Sequence, residues 1–256
     1  MENVALITGA SSGIGKELAR EFAQNRHDLV LVARNMDRLK DIQKQFESTF
    51  GVKIKVIAKD LGSEKAPLEI FEQLKSEGIK IDYLVNNAGF GTHGKFGEIS
   101  WEREQDMIHL NIRTVTYFCK LFIPEMVKNG GGKIMNVAST AAFQPLPYMS
   151  VYGATKAYVL SLSEGLANEY KKDKITVTAL CPGATTSSFQ ENAAMGENLL
   201  FKGIVSTANS VAKYGYGAMQ KGKAVAIPGM MNKIMAGSIR FTPRSIARNL
   251  AGKMAK

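Results

Sequence analysis

Tyr152 and Lys156 stand four residues apart in a stretch of helical pattern, so one helix face carries a phenol and an ammonium together. A free tyrosine titrates near about 10, and a neighbouring cation favours the phenolate and lowers that value. A phenol tuned in this way can give a proton to a carbonyl oxygen and take it back. Positioned acid–base transfer of this kind contributes typically about 10²–10⁴-fold. Ser139, at the end of an apolar run, can hydrogen-bond the same oxygen. Tyrosine and lysine at this spacing are also common on ordinary amphipathic helices, so the pair alone decides nothing.

A second cluster opens the chain. Gly9-Ala10-Ser11-Ser12-Gly13-Ile14-Gly15 follows the apolar run Val4–Thr8 and precedes a helical pattern. Glycine permits a turn that a Cβ would block, and the N–H groups at a helix start favour an anion. The spacing is Gly-x-x-x-Gly-x-Gly rather than the dinucleotide pattern Gly-x-Gly-x-x-Gly, and a plain tight turn is the other reading. The next apolar run ends at Ala33-Arg34, where an acid usually holds a ribose 2′-hydroxyl. An arginine there suits a 2′-phosphate, through charge-assisted hydrogen bonds worth about 1.5–3 kcal/mol. An ordinary surface arginine is the alternative.

These residues need elements to place them. Short β-rich runs at Val4–Thr8, Asp28–Ala33, Lys53–Ala58, Ile81–Asn86, Lys133–Ala138, Ile175–Leu180 and Lys223–Ile227 read as strands. Helical patterns at Gly13–Asn25, Asp37–Phe50, Pro67–Glu77, Trp101–Lys128 and Val151–Lys171 separate them. Such alternation predicts an α/β fold, a doubly wound Rossmann-type parallel sheet in three layers. The nearly continuous apolar strands agree, because parallel strands are buried on both faces. No linker or repeat interrupts the 256 residues, so one domain is expected.

Composition narrows the class. Cys119 and Cys181 have no metal or disulfide spacing and read as buried free thiols. His27, His93 and His109 are scattered, so no metal site is expected; His93 stands where it can line a substrate mouth. No stretch approaches the roughly 18 apolar residues of a membrane span, and no secretory signal is visible, so a cytoplasmic setting is expected. The net charge of +10 gathers late: after Gly229 stand Lys233, Arg240, Arg244, Arg248, Lys253 and Lys256 with no acid. This basic tail, 229–256, permits peripheral contact with anionic lipid or an acidic partner; a solvated helix face is the plainer reading. Nucleic-acid binding is not expected, since the tail lacks interleaved aromatics.

Taken together, the motifs resemble the short-chain dehydrogenase/reductase family, in its single-domain branch of about 250 residues. Beside the glycine turn stand Asn86-Asn87-Ala88-Gly89, Asn111, Ser139 with Tyr152-Gly153-Ala154-Thr155-Lys156, and Pro182-Gly183, in the family's order. The resemblance covers almost the whole chain. It implies an oxidoreductase that moves a hydride between NADP(H) and a carbonyl or secondary alcohol. Tyr152 would be the proton donor and Ser139 its helper. Lys156 would also bind ribose hydroxyls, and Asn111 would hold a water for proton relay. The cofactor would meet Gly9, Ser11, Ser12, Gly13, Ile14, Gly15, Arg34, the adenine-side pair Asp60 and Leu61, and Asn87, Ala88 and Gly89. At the nicotinamide end it would meet Tyr152, Lys156, Pro182 and Gly183. The family often has a threonine five residues past the proline; here Ser187 stands there, and Thr185 is the chosen hydroxyl. Family members commonly form homodimers or homotetramers through helices matching Trp101–Lys128 and Val151–Lys171.

Closest in look are 3-oxoacyl reductase and hydroxysteroid dehydrogenase-type members, through Asn87–Gly91 and Ala224–Gly229. A lipophilic small-molecule carbonyl follows, such as a 3-oxoacyl thioester, a ketone, a steroid or a xenobiotic. The apolar segment 187–205, with Phe189, Met195, Leu199, Leu200 and Phe201, reads as a substrate lid against Phe143, Leu146 and Met149. A non-catalytic NADP-binding sensor or scaffold is the alternative.

Overall fold

The computed structural model describes residues 1–186 and 205–254. Its strands are β1 (Ala5–Thr8), β2 (Leu29–Ala33), β3 (Ile54–Ala58), β4 (Tyr83–Asn86), β5 (Gly132–Val137), β6 (Ile175–Leu180), β7 (Thr185–Thr186), β8 (Ser206–Thr207) and β9 (Val225–Ala226). Seven of them form one sheet in the order β3-β2-β1-β4-β5-β6-β9, every pair parallel. The order reverses between β1 and β4, and such a switch point opens a crevice at the carboxyl ends of the strands.

The helices are α1 (Gly13–Gln24), α2 (Met36–Phe50), α3 (Ala66–Ser76), α4 (Trp101–Ile108), α5 (Val115–Lys128), α6 (Ser150–Glu169), α7 (Ala208–Gln220), α8 (Met230–Ser238) and α9 (Arg244–Met254). Successive strand residues point to opposite faces, so each buried strand feeds two cores. Ile7 and Leu31 pack with Phe22, Leu39 and Val211 under α1, α2 and α7. Leu6, Val30 and Leu84 pack with Ile70, Phe118 and Phe122 under α3 and α5. The three expected layers follow from this alternation.

The stretch read as one helix from Trp101 to Lys128 is interrupted by a π-helical segment, His109–Thr114. A π-turn inserts a residue into the helical ladder and is found frequently at functional sites. Asn111 lies in it, buried.

Behind the carboxyl ends runs a buried polar ladder. Asn86 Nδ2 donates to Asn136 Oδ1 at 2.9 Å, and Asn136 Nδ2 donates to Ser163 Oγ at 2.9 Å. These bonds tie β4 and β5 to α6, so the helix carrying Tyr152 has one register on the sheet.

The basic tail forms two helices that are inverted relative to an ordinary surface helix. Ala236, Ala247 and Ala251 face the protein, while Met230, Ile234, Ile246 and Leu250 are exposed. A methyl group on Gly252 would stand 3.4 Å from Pro147, so α9 lies over the segment that leads into α6. The tail is therefore docked beside the site. Of the expected lid at 187–205, residues 187–204 lie outside the described residues. Its flanks pair with each other: Thr185 with Ser206 and Thr186 with Thr207.

Candidate active site

The glycine turn is built by contact. Gly9 has φ +66 and Gly13 φ +53, a region that favours glycine. A Cβ on Gly15 would run into the main-chain oxygen of Gly9 and the amide of Asn87. Asn87 Nδ2 donates to Thr8 O at 2.9 Å and Gly9 O at 3.3 Å. Thr8 Oγ1 accepts from the backbone N–H groups of Asn87 and Ala88, at 2.9 and 3.0 Å. Asn87 thus braces the turn, a task its sequence position did not reveal. Ser12, the N-cap of α1, makes no side-chain capping bond, and the helix has no acid in its first turn. That leaves a helix start suited to an anion.

Ser11, Ser12 and Gly13 line an open cleft of about 410 Å³, together with Lys16, Arg38 and Asp41. Lys16 and Arg38 are cations that sequence reasoning missed. Arg38 stands four residues beyond Arg34, in the first turn of α2, and that spacing was the available signal. Arg34 follows β2, exposed, and is not among the walls of the cleft. Asp60 is exposed, its Oδ1 accepting from Gly62 N at 2.9 Å, while Leu61 is buried and its carbonyl accepts from Thr114 Oγ1 at 3.0 Å.

At the other end, Tyr152 and Lys156 share a buried face of α6. Lys156 Nζ lies 5.8 Å from the centroid of the Tyr152 ring and donates to Val137 O at 2.8 Å. Ser139 stands beside the Tyr152 side chain, close enough to pull its pKa down. It also accepts from Ala141 N at 3.1 Å and donates to Pro182 O at 3.4 Å. Burial pushes the Tyr152 phenol up to about 12, against the pull of Ser139. Burial also pushes Lys156 down to about 8. The expected lowering of Tyr152 by Lys156 is not what the protein alone shows. Desolvation dominates, because the phenol has left water and the phenolate would be buried.

Asn111 Nδ2 donates to Phe90 O at 2.9 Å and to Thr155 Oγ1 at 3.1 Å, and Oδ1 accepts from Phe90 N at 3.2 Å. Its amide hydrogens are therefore committed to locking the loop after Gly89 onto α6. A methyl group on Gly89 would stand 2.7 Å from Asn111 Oδ1, so only glycine fits there. Thr185 is buried, and its hydroxyl donates to Gly183 O at 2.9 Å.

In the segment between Ser139 and Tyr152, Leu146 and Met149 are buried with Met107 and Tyr152. Phe143 is half-buried and lines a cavity of about 40 Å³ against Asn232, Met235 and Ile239 of the tail. His93 stacks on Tyr148 with ring centroids 6.1 Å apart, which brings it beside the entry to α6. Cys119 and Cys181 are buried free thiols, both pushed up to about 12 by burial.

A family model described as short chain dehydrogenase matches residues 3–198. The chain belongs to the short-chain dehydrogenase family. Among relatives, the very-long-chain 3-oxoacyl-CoA reductase-B of Danio rerio is 34% identical over 193 residues, covering 73% of this chain and 61% of that protein. The 17-beta-hydroxysteroid dehydrogenase type 3 of Mus musculus is 36% identical over 185 residues, covering 70% of this chain and 58% of that protein. Both relatives are thus matched over less than two thirds of their length. A solved short-chain dehydrogenase from Sphingobium yanoikuyae in complex with NADPH superposes with a TM-score of 0.83 at 31% identity. The match covers 94% of this chain and 97% of that one. As a short-chain dehydrogenase, the chain is an oxidoreductase acting on CH–OH or C=O groups.

Proposed function

We propose that this short-chain dehydrogenase is an NADPH-dependent reductase of lipophilic carbonyl compounds, with Tyr152 as the proton donor. The observation that carries this reading is the buried pair on α6, with Lys156 Nζ held on Val137 O at 2.8 Å and 5.8 Å from the Tyr152 ring, and Ser139 beside the phenol. A phenol held protonated can deliver its proton to a substrate oxygen that Ser139 also engages. Lys156, cationic below about 8, stabilises the phenolate left behind and restores its proton.

The residues present fit a dinucleotide. The turn has no room for side chains at Gly9 and Gly15 and needs a positive φ at Gly13, and the start of α1 offers its N–H groups. Ser11, Ser12, Ile14 and Asn87 to Gly89 would hold the phosphates and the nucleoside. Asp60 and Leu61 would flank adenine, and Pro182, Gly183 and Thr185 the nicotinamide. Arg34, with Lys16 and Arg38, would select a 2′-phosphate. NADPH bound there supplies the hydride.

The apolar cluster under Tyr152 supports a lipophilic substrate, and the named relatives act on long acyl chains and steroids by name. Exposed Trp101, Val127 and Tyr158 on α4, α5 and α6 support contact with a second copy, as a homodimer or homotetramer. The test is oxidation of NADPH, with NADH beside it, against 3-oxoacyl thioesters, steroids and small polar ketones. Turnover with NADPH and apolar ketones supports the reading. A preference for NADH, or for small polar carbonyls, overturns the corresponding part.

A further inference from the structure

Asn232, in the first turn of α8, stands directly against Gly183. A methyl group on Gly183 would lie 2.8 Å from both Nδ2 and Oδ1 of Asn232 and 3.0 Å from its Cγ. The asparagine is held from behind, since Nδ2 donates to Pro228 O at 2.8 Å. Gly229, at φ +85, turns the chain so that this bond can form. On the far side of the same turn, Pro182 O accepts from Thr140 N at 2.9 Å and from Ser139 Oγ at 3.4 Å. The Pro182–Gly183 turn is therefore gripped between Asn232 and the Ser139–Thr140 backbone. Elsewhere α8 faces residues 140–144 across the 40 Å³ cavity, so Asn232 is a firm point between tail and site.

We infer that Asn232 is a positioning residue: it sets the Pro182–Gly183 turn and, through Pro182 O, the placement of Ser139 beside Tyr152. This rests on the oxidoreductase reading above. A reacting geometry displaced by about 1 Å can cost about 10²-fold in rate, so a side chain that touches no substrate can still govern turnover. The tail is then part of the active site's frame rather than an appendage.

The test compares Asn232→Ala, Gly183→Ala and the double variant Gly183→Ala/Asn232→Gly with the wild-type chain. The readouts are NADPH affinity by fluorescence, kcat and KM for a ketone the wild type reduces, and Tm. Asn232→Ala should lower kcat about tenfold, with the ketone's KM changed much less and Tm nearly kept. Gly183→Ala should lose about 10²-fold, and the double variant should regain at least about tenfold, because the clash is relieved. Wild-type kcat in Asn232→Ala would overturn the inference, as would a double variant no better than Gly183→Ala. If Asn232→Ala unfolds, the Gly183 pair alone decides. A wild-type chain that neither binds NADPH nor reduces a carbonyl overturns this inference and the oxidoreductase reading together. A wild type that turns over beside an indifferent Asn232 sinks this inference alone.

Discussion

Lys156 Nζ donates to the main-chain oxygen of Val137 at 2.8 Å while standing 5.8 Å from the centre of the Tyr152 ring. The ammonium is thus anchored to the last residue of β5, just before Ser139, and faces the tyrosine from a fixed post. Burial pulls it down to about 8, so its charge is lost within the working range of an enzyme.

A pH dependence follows. The profile of kcat/KM for NADPH reports groups of the free enzyme. It should be level near neutral pH and fall as pH rises through about 8, where Lys156 loses its proton. Tyr152, pushed up to about 12, stays protonated throughout that range and adds no step. A profile that stays level well past that pH would remove Lys156 from the proton-restoring role.

The glycine turn makes a separate prediction about stability. Gly9 combines φ +66 with a Cβ position only 2.8 Å from Asn87 Nδ2. Gly9→Ala should destabilise the fold by about 1–3 kcal/mol and weaken NADPH binding as well. Urea unfolding and fluorescence titration measure the two losses. A stable variant that binds NADPH normally would show that neither the strain nor the contact matters.

Cofactor choice should depend on more than Arg34. Arg38 and Lys16 line the cleft beside Ser11 and Ser12, and Arg34 does not. Arg34→Ala and Arg38→Ala should each reduce kcat/KM for NADPH about tenfold, the low end for a charge-assisted bond at an exposed site, and leave NADH unchanged. Equal losses with both cofactors would mean that these arginines act on folding or on shared parts of the nucleotide.

The buried ladder offers a test of how the sheet orients α6. Asn136→Leu removes partners from both Asn86 and Ser163, which lie in the core. Ser163 Oγ keeps its bond to Val159 O, while Asn86 Nδ2 is left with only Cys119 Sγ at 3.6 Å, and a buried polar group so poorly matched costs about 1–3 kcal/mol. The variant should lose stability to urea by an amount in that range, and its remaining folded fraction should reduce ketones more slowly. Unchanged stability would show that the ladder is dispensable.

Much of this was readable in the sequence, and the failures share a cause. The strands β1 to β6 and helices α1 to α3 fall within two residues of their expected limits, because apolar period and turn residues are local signals. The turn around Gly9 and the pair Tyr152 and Lys156 were equally legible for that reason. The π-turn holding Asn111 was not, since an inserted residue changes the ladder without changing composition. Nor was the bracing of the glycine turn by Asn87, whose partners Thr8 and Gly9 lie nearly eighty residues earlier. Asn232 was missed for the same reason: its partner, Gly183, lies nearly fifty residues earlier.

The central claim is that Tyr152 gives the proton. The most direct measurement is single-turnover reduction of a ketone by Tyr152→Phe, with NADPH affinity determined on the same sample. Reduction should fall by about 10²–10⁴-fold while NADPH still binds, since the variant loses one hydroxyl and keeps the glycine turn. Reduction at the wild-type rate would contradict the account and move the proton donor to another group.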